Sequence, residues 1–183
     1  MRLYLIRHPR PAIDEGICYG ASEVDLLEDV AQCAARVRDR LPEHLQLFSS
    51  PLRRCRALAE ALHRQPRFDE RLKELNFGDW EGKPWDEIPR AQIDAWAAAP
   101  WAFAPPNGES VERLRNRVDA FLSDRGWPSG EDIAIVTHNG VMRMMSTIVT
   151  GSLDPPNLTA SFAYGELHVL DSLMPAGLSR TDC

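Results

Sequence analysis

Two short stretches of this chain limit its folding options more than any others, because each is an apolar run that ends in a histidine. Leu3-Tyr-Leu-Ile6 leads into Arg7-His8-Pro9, and Ile133-Ala-Ile-Val136 leads into Thr137-His138-Asn139-Gly140. Short unbroken runs of strand-forming residues fit strands buried on both faces. Such strands need helices on both sides of the sheet. Pro9 stops the first run, since proline has no N–H and a fixed φ. In open α/β sheets ligands bind beyond the carboxyl ends of the strands. An Arg-His pair and a second His delivered there are candidate site residues.

The remaining segments supply the helices and further strands. Leu27, Val30, Ala34, Val37 and Leu41 recur at three- and four-residue steps. This predicts an amphipathic helix that ends before Pro42. Residues 45–48 read as a short strand. Ser50 is placed to cap the next helix, with Pro51 at its first position, and that helix runs to about His63. Arg53 and Arg54 then fall in its first turn, where the helix dipole disfavours cations unless an anion sits beside them. Residues 68–75 read as extended or irregular and 76–82 as a glycine-marked turn. A helix is expected over 85–99, with Ile88, Ile93 and Trp96 buried, followed by a Pro-rich break over 100–108. Val111, Leu114, Val118, Phe121 and Leu122 give the clearest helical period, which residues 126–130 should end. A Met-rich helix is expected over about 141–149, a turn at 151–156, and a strand or hairpin at 162–170.

This order predicts a three-layer α/β/α sandwich with a mostly parallel central sheet. A single domain is expected over residues 1–183, with a helical insert at about 82–108 over the active-site edge and a loose tail at about 171–183. The loop over residues 9–25 is rich in Pro, Gly and charge and contains Cys18-Tyr19-Gly20. A loop of this length after a site residue is either a binding rim or a surface connection.

Charge and composition exclude several function classes. The net charge is −6 and there is no basic tail, which argues against a nucleic-acid partner. An anionic substrate must therefore be drawn by a local cluster of Arg and His. No run of about 18 apolar residues is present, so no membrane span is expected. The chain starts on a strand instead of a secretion signal, and a cytoplasmic location is expected. Cys18, Cys33, Cys55 and Cys183 make no close pair and no metal-type spacing. Cys33 and Cys55 fall in helical patterns and read as small apolar residues in a reducing compartment. His-Glu-x-x-His, Gly-x-Ser-x-Gly and Gly-x-x-x-x-Gly-Lys patterns are all absent. No metal and no cofactor are expected.

The residues that do converge suit a phosphate monoester. Guanidinium forks donate in a plane to two phosphate oxygens at once. A neutral imidazole, with an ordinary pKa of about 6.5, can attack phosphorus. Phosphoryl transfer is mostly positioning plus charge stabilisation. Arg7, His8, Arg54 and His138 all follow apolar strands and can meet at one edge. An acid to protonate the leaving alkoxide is still needed.

Five motifs occur in a telling order: Leu5-Ile-Arg-His8, Ser50-Pro-Leu-Arg-Arg54, Leu72-Lys-Glu-Leu-Asn-Phe-Gly-Asp-Trp-Glu-Gly82, Gly108-Glu-Ser110 and Val136-Thr-His-Asn-Gly140. In these the chain resembles the histidine phosphatase superfamily, in its phosphoglycerate-mutase-like branch, from residue 1 to about 170. The resemblance implies that His8 is the nucleophile and becomes phosphohistidine. It implies that Arg7, Arg54 and His138 hold the phosphoryl oxygens. Glu74 matches the acid of a Leu-x-Glu-x-x-x-Gly motif; it would protonate the leaving oxygen and then activate water. A neighbouring dianion favours the protonated start this requires. Glu81 is the rival acid.

Two departures stand out. Pro9 occupies a place where the family usually has Gly, so a phosphate-facing N–H is lost. Asn139 stands where Gly is common; it would add a phosphate contact or cap the following helix. Pro9 with Cys18-Tyr-Gly20 resembles the α-ribazole phosphatase branch, which removes a 5′-phosphate in the cobalamin pathway. Tyr19, Trp80, Trp85 and Trp101 would stack on a flat base, or else pack the insert against the sheet. A broad small-molecule phosphatase, a phosphoglycerate mutase and a non-catalytic phospho-ligand binder are the alternatives. Mutases of the family usually carry a longer insert than the one between Glu81 and Gly108, which favours hydrolysis. The partner expected is a small-molecule phosphate ester; no oligomeric state follows from the sequence.

Overall fold

Leu3 and Leu5 face one side of a sheet and Tyr4 and Ile6 the other, and all four are buried. The structure is a computed structural model and describes residues 2–124, 131–151 and 161–171. Its strands are β1 (Leu3–Arg7), β2 (Leu45–Ser49), β3 (Arg67–Phe68), β4 (Asp132–Thr137) and β5 (Leu167–Leu170). They form one sheet in the order β3-β2-β4-β1-β5. The first four are parallel to their neighbours, and β5 pairs antiparallel with β1. The helices are α1 (Val30–Arg38), α2 (Arg53–Leu62), α3 (Arg90–Ala98), α4 (Val111–Leu122) and α5 (Asn139–Thr150).

Leu3, Leu5, Ile133 and Ile135 pack with Leu114, Val118 and Phe121 of α4 and Met142 and Met145 of α5. On the opposite face Tyr4, Ile6, Ala134 and Val136 pack with Cys33, Ala34 and Val37 of α1 and Cys55, Leu58 and Ala59 of α2. The expected three-layer α/β/α sandwich is therefore present, and burial on both faces explains the unbroken apolar runs. Each fully buried Leu or Ile contributes about 1.5–3 kcal/mol. Burial also pushes the Cys33 thiol up to about 11, which fits a small apolar role. Among the described residues no helix is long and apolar enough to cross a membrane.

Register places the site. β1 and β4 run side by side, with Leu3 opposite Ile133 and Arg7 opposite Thr137. The His8 N–H donates to the Thr137 carbonyl at 3.0 Å. The two histidines that end the two apolar runs are thus neighbours by strand pairing. β2 flanks β4 on its other side, and the Ser50 N–H donates to the Val136 carbonyl at 3.0 Å.

Local structure corrects several expectations. α1 begins at Val30 because Asp29 caps it, accepting from the Gln32 N–H at 2.9 Å; Leu27 lies before the helix and is 66% exposed. Ser50 does not cap α2. The helix starts at Arg53 behind Leu52, with no side-chain cap, and the Ser50 hydroxyl is turned to His138 instead. The helix expected over 85–99 is broken by Pro89 into a single 3₁₀ turn (Trp85–Glu87) and α3, because the residue before a proline avoids helical backbone. The segment expected to be extended or irregular starts at the end of β3 and adds a 3₁₀ turn at Glu70–Leu72 that was not expected. The strand expected over 162–170 is limited to β5, which pairs with β1 and not within a hairpin. Residues 126–130, most of the 151–156 turn and the 172–183 part of the tail lie outside the described residues.

The insert has a core of its own. Cys18, Trp80 and Ile88 are buried there, with Phe77, Trp85, Ile93, Trp96 and Phe103 packed around them. The Gly82 N–H donates to the Cys18 carbonyl and the Cys18 N–H to the Lys83 carbonyl, both at 2.8 Å. The 9–25 loop and the insert are therefore stitched into one wall.

Candidate active site

His8 leaves the end of β1 and is 2% exposed. Its Nδ1–H donates to the Pro9 carbonyl at 2.7 Å. That bond selects the tautomer and leaves the Nε2 lone pair available. Burial, with Arg54 beside it, pulls the His8 imidazole down to about 3, against a smaller opposing effect of the Pro9 bond. His138 is fully buried, with its ring 5.1 Å from that of His8. Its Nε2 shares a hydrogen bond of 2.9 Å with the Ser50 hydroxyl. Burial first, then Arg54 and His8, hold it well below the usual histidine range. Both imidazoles are therefore neutral at neutral pH.

Two guanidiniums flank this pair. Arg7 ends β1 and donates to the Phe162 carbonyl. Arg54, in the first turn of α2, is fully buried and donates to the carbonyls of Ser22 at 2.7 Å and Gly20 at 2.5 Å. Among the described residues neither has a carboxylate partner, and the Nε–H of each is buried with no acceptor. Burying a guanidinium with an empty donor is costly unless an anion completes it. Arg53, by contrast, is exposed and pairs with Glu23 and Asp25.

Glu74 faces the same space from the loop after the Glu70–Leu72 turn. Its carboxylate accepts from the Leu75 N–H and from the Gly140 N–H, each at 3.0 Å. A Cβ on Gly140 would stand 2.4 Å from Glu74 Oε1, so glycine alone lets the first turn of α5 approach the carboxylate. Arg117 of α4 holds the loop. It donates to the carbonyls of Arg71, Lys73 and Glu74 and pairs with Glu109 at 2.5 Å. The rival Glu81 is turned elsewhere: its carboxylate accepts from the N–H groups of Ala21, Ser22 and Phe77.

These residues border one cavity of about 530 Å³. Arg7, His8, Tyr19, Arg54, Glu74 and Asn139 line its polar end, and His138 lies behind His8. The other end is apolar, with Phe77, Trp85, Trp96, Trp101, Leu114 and Met144. Trp85 and Trp96 are stacked, their centroids 5.9 Å apart and the planes 14° off parallel. Trp80 is not available for stacking on a ligand; it is 1% exposed and its indole N–H donates to Gln92 at 2.6 Å. Asn139 does not cap α5. Its Oδ1 accepts from the Phe162 N–H at 3.0 Å while the side chain borders the cavity. Among the described residues no group of three or more His, Cys, Asp or Glu could hold a metal ion.

Sequence reasoning did not single out Arg143, Tyr164 or Arg117. Arg143 lines the cavity from α5, four residues after Asn139. Helical spacing from the site motif was a signal that could have found it. Tyr164 lies over Arg7 and next to His8; it follows a stretch without pattern, and no local signal marks it. Arg117 was visible only as a polar position on an amphipathic helix.

An α/β sandwich with an Arg-His strand end, a second strand-end His, a helix-borne Arg and a loop Glu defines a phosphate-handling class. The model of the histidine phosphatase superfamily (branch 1) matches residues 3–171, and the chain belongs to that family. It is 28% identical over 164 residues to phosphoserine phosphatase 1 of Hydrogenobacter thermophilus, covering 82% of this chain and 77% of that one. It is 26% identical over 160 residues to the adenosylcobalamin/alpha-ribazole phosphatase of Salmonella typhimurium, covering 79% and 77%. Among solved structures, phosphoglycerate mutase from Thermus thermophilus superposes with a TM-score of 0.73 at 30% identity, over 93% of each chain.

Proposed function

We propose that the protein is a phosphomonoesterase that works through phosphohistidine at His8, without a metal. The observation that carries this reading is the pair of arginines, Arg54 buried and Arg7 half-buried, whose buried Nε–H donors have no acceptor beside a neutral His8. In the first step the His8 Nε2 lone pair forms a bond to phosphorus as the ester P–O bond breaks. Arg7, Arg54 and His138 stabilise the phosphoryl oxygens. Glu74 gives its proton to the departing alkoxide. In the second step the Glu74 carboxylate takes a proton from water, water oxygen bonds to phosphorus, and the P–N bond returns its electron pair to His8. Inorganic phosphate leaves and His8 is neutral again.

The test is phosphate release from p-nitrophenyl phosphate with EDTA present. Wild type should turn over and be inhibited by vanadate, which mimics the pentavalent transition state, while His8→Ala should not turn over. Persistent activity in that variant would overturn the nucleophile assignment, and loss of wild-type activity with EDTA would overturn the metal-free mechanism.

For the substrate we favour α-ribazole 5′-phosphate. Its flat base suits the aromatic wall of Trp85, Trp96 and Trp101, and one relative carries that activity in its name. The second reading is a phosphate ester with a carboxylate, such as phosphoserine or 3-phosphoglycerate. Arg143 favours it, since it lies about one turn of α5 beyond Asn139. A kcat/KM screen across these esters separates the two. A value for α-ribazole phosphate no better than for generic esters would sink the first reading.

A further inference from the structure

Two tyrosines have no part in the chemistry above, yet both are held against it. Tyr164 places its ring over Arg7, with the guanidinium carbon 3.9 Å from the ring centroid, and 5.6 Å from the His8 ring. Tyr19 lines the cavity with its ring 5.7 Å from the guanidinium carbon of Arg54. The two hydroxyls are 2.9 Å apart. They belong to segments far apart in sequence. Tyr19 sits in the loop after β1, which the Glu81 carboxylate anchors through Ala21 and Ser22. Tyr164 sits in the turn before β5, which the Gly165 N–H ties to the Arg7 and His8 carbonyls. The pair therefore spans the phosphate end and joins the supports of its two arginines.

The chemistry of these supports is distinctive. An Asp or Glu would orient a guanidinium but would cancel the charge that a phosphate dianion needs. Ring faces and backbone carbonyls orient it and leave the charge in place. The hydroxyl pair also has a proton to spare. Two O–H groups share one hydrogen bond, and neither has another partner among the described residues. Burial raises the Tyr19 phenol, so it stays protonated across the neutral range. Pro9, meanwhile, leaves the position after the nucleophile without an N–H.

We propose that Tyr19 and Tyr164 form an uncharged clasp of the phosphate site: their rings set the two guanidiniums, and the spare hydroxyl proton donates to a phosphoryl oxygen in place of the N–H that Pro9 lacks. The clasp deepens the phosphatase reading and rests on it.

The experiment measures vanadate and phosphate inhibition of p-nitrophenyl phosphate hydrolysis in wild type, Tyr19→Phe, Tyr164→Phe, the double variant and Tyr164→Leu. Inorganic phosphate affinity by calorimetry and Tm are measured on the same samples. Each Phe variant should weaken phosphate and vanadate by about fivefold, the worth of one hydrogen bond. The double variant should be no weaker than the worse single one, since both break the same bond. Tyr164→Leu should be weaker still, because Arg7 loses its ring. Phe variants within twofold of wild type, effects that multiply in the double variant, or a lower Tm with unchanged affinities would each overturn the clasp. A wild type that binds phosphate but neither turns over nor responds to vanadate overturns the phosphatase reading instead, and the calorimetric series still decides the clasp.

Discussion

At the scale of single residues, packing holds His8 in the protonation state that the proposed chemistry needs. His8 is neutral because burial and Arg54 make its charged form costly, and its Nδ1–H is taken by Pro9. This has a consequence for stability. The His8 pKa is lowered from 6.5 to about 3 on folding, so between those values the unfolded chain binds more protons than the folded one. His8 therefore contributes stability above pH 6.5 that is lost as the pH falls towards 3. We expect the Tm of the ligand-free protein to fall from pH 7 to pH 4.5, and to fall less steeply in His8→Asn. A parallel pair of curves would count against the burial account. Glu74→Gln keeps the shape of the acid but cannot deliver its proton. It should lower kcat on alkyl phosphates by roughly a hundredfold or more. p-Nitrophenyl phosphate, whose leaving group needs no proton, should be affected less.

At the scale of elements, α4 and α5 carry the parts that aim Glu74. Gly140→Ala places a methyl 2.4 Å from Glu74 Oε1. Alanine favours helix over glycine by about 0.5–1 kcal/mol. The variant should therefore keep its Tm within a few degrees while losing kcat, and wild-type turnover would show that the carboxylate need not sit where it does. Arg117 acts from a distance. It is partly buried, with a side chain 20% exposed, and its guanidinium holds the loop carbonyls of Arg71, Lys73 and Glu74 together with Glu109. Arg117→Met should cost about 2 kcal/mol of stability, since it leaves buried acceptors empty. It should also lower kcat with KM little changed, because the loop that presents Glu74 loses its anchor. An unaltered kcat in a folded variant would remove Arg117 from the site's support.

At the scale of the whole molecule, the cavity exists because a sheet edge and an insert face each other. The sheet edge supplies charge and the insert supplies the aromatic wall, stitched to the 9–25 loop through Cys18. On the proposed phosphatase reading, the insert meets the leaving group and the sheet edge meets the phosphoryl group. Trp85→Ala should raise KM for α-ribazole 5′-phosphate several-fold, at about 1–3 kcal/mol for a lost stacking face, with little change for glycerol phosphate. Arg143→Met should raise KM only for carboxylate-bearing esters if the second substrate reading holds. KM measured on both ester classes for the two variants decides which wall selects.

The sandwich was legible in the chain itself. Unbroken apolar runs such as 3–6 and 133–136 can be satisfied only by helices on both faces, and the period of Leu114, Val118 and Phe121 names one of them. The positions of Arg7, His8, Arg54, Glu74 and His138 were legible too, because strand ends and motifs are local patterns. What surrounds them was not. Strand pairing 130 residues apart sets Arg7 beside Thr137, and no local signal announces that register. The burial that keeps His8 and His138 neutral is a property of packed layers. The choice of Glu74 over Glu81 at the cavity rests on which backbone N–H groups each carboxylate meets. The Tyr19–Tyr164 contact joins two patternless segments. Local periodicity determines which elements form; proximity between distant segments, and the low-dielectric surroundings that come with it, arise only once they pack.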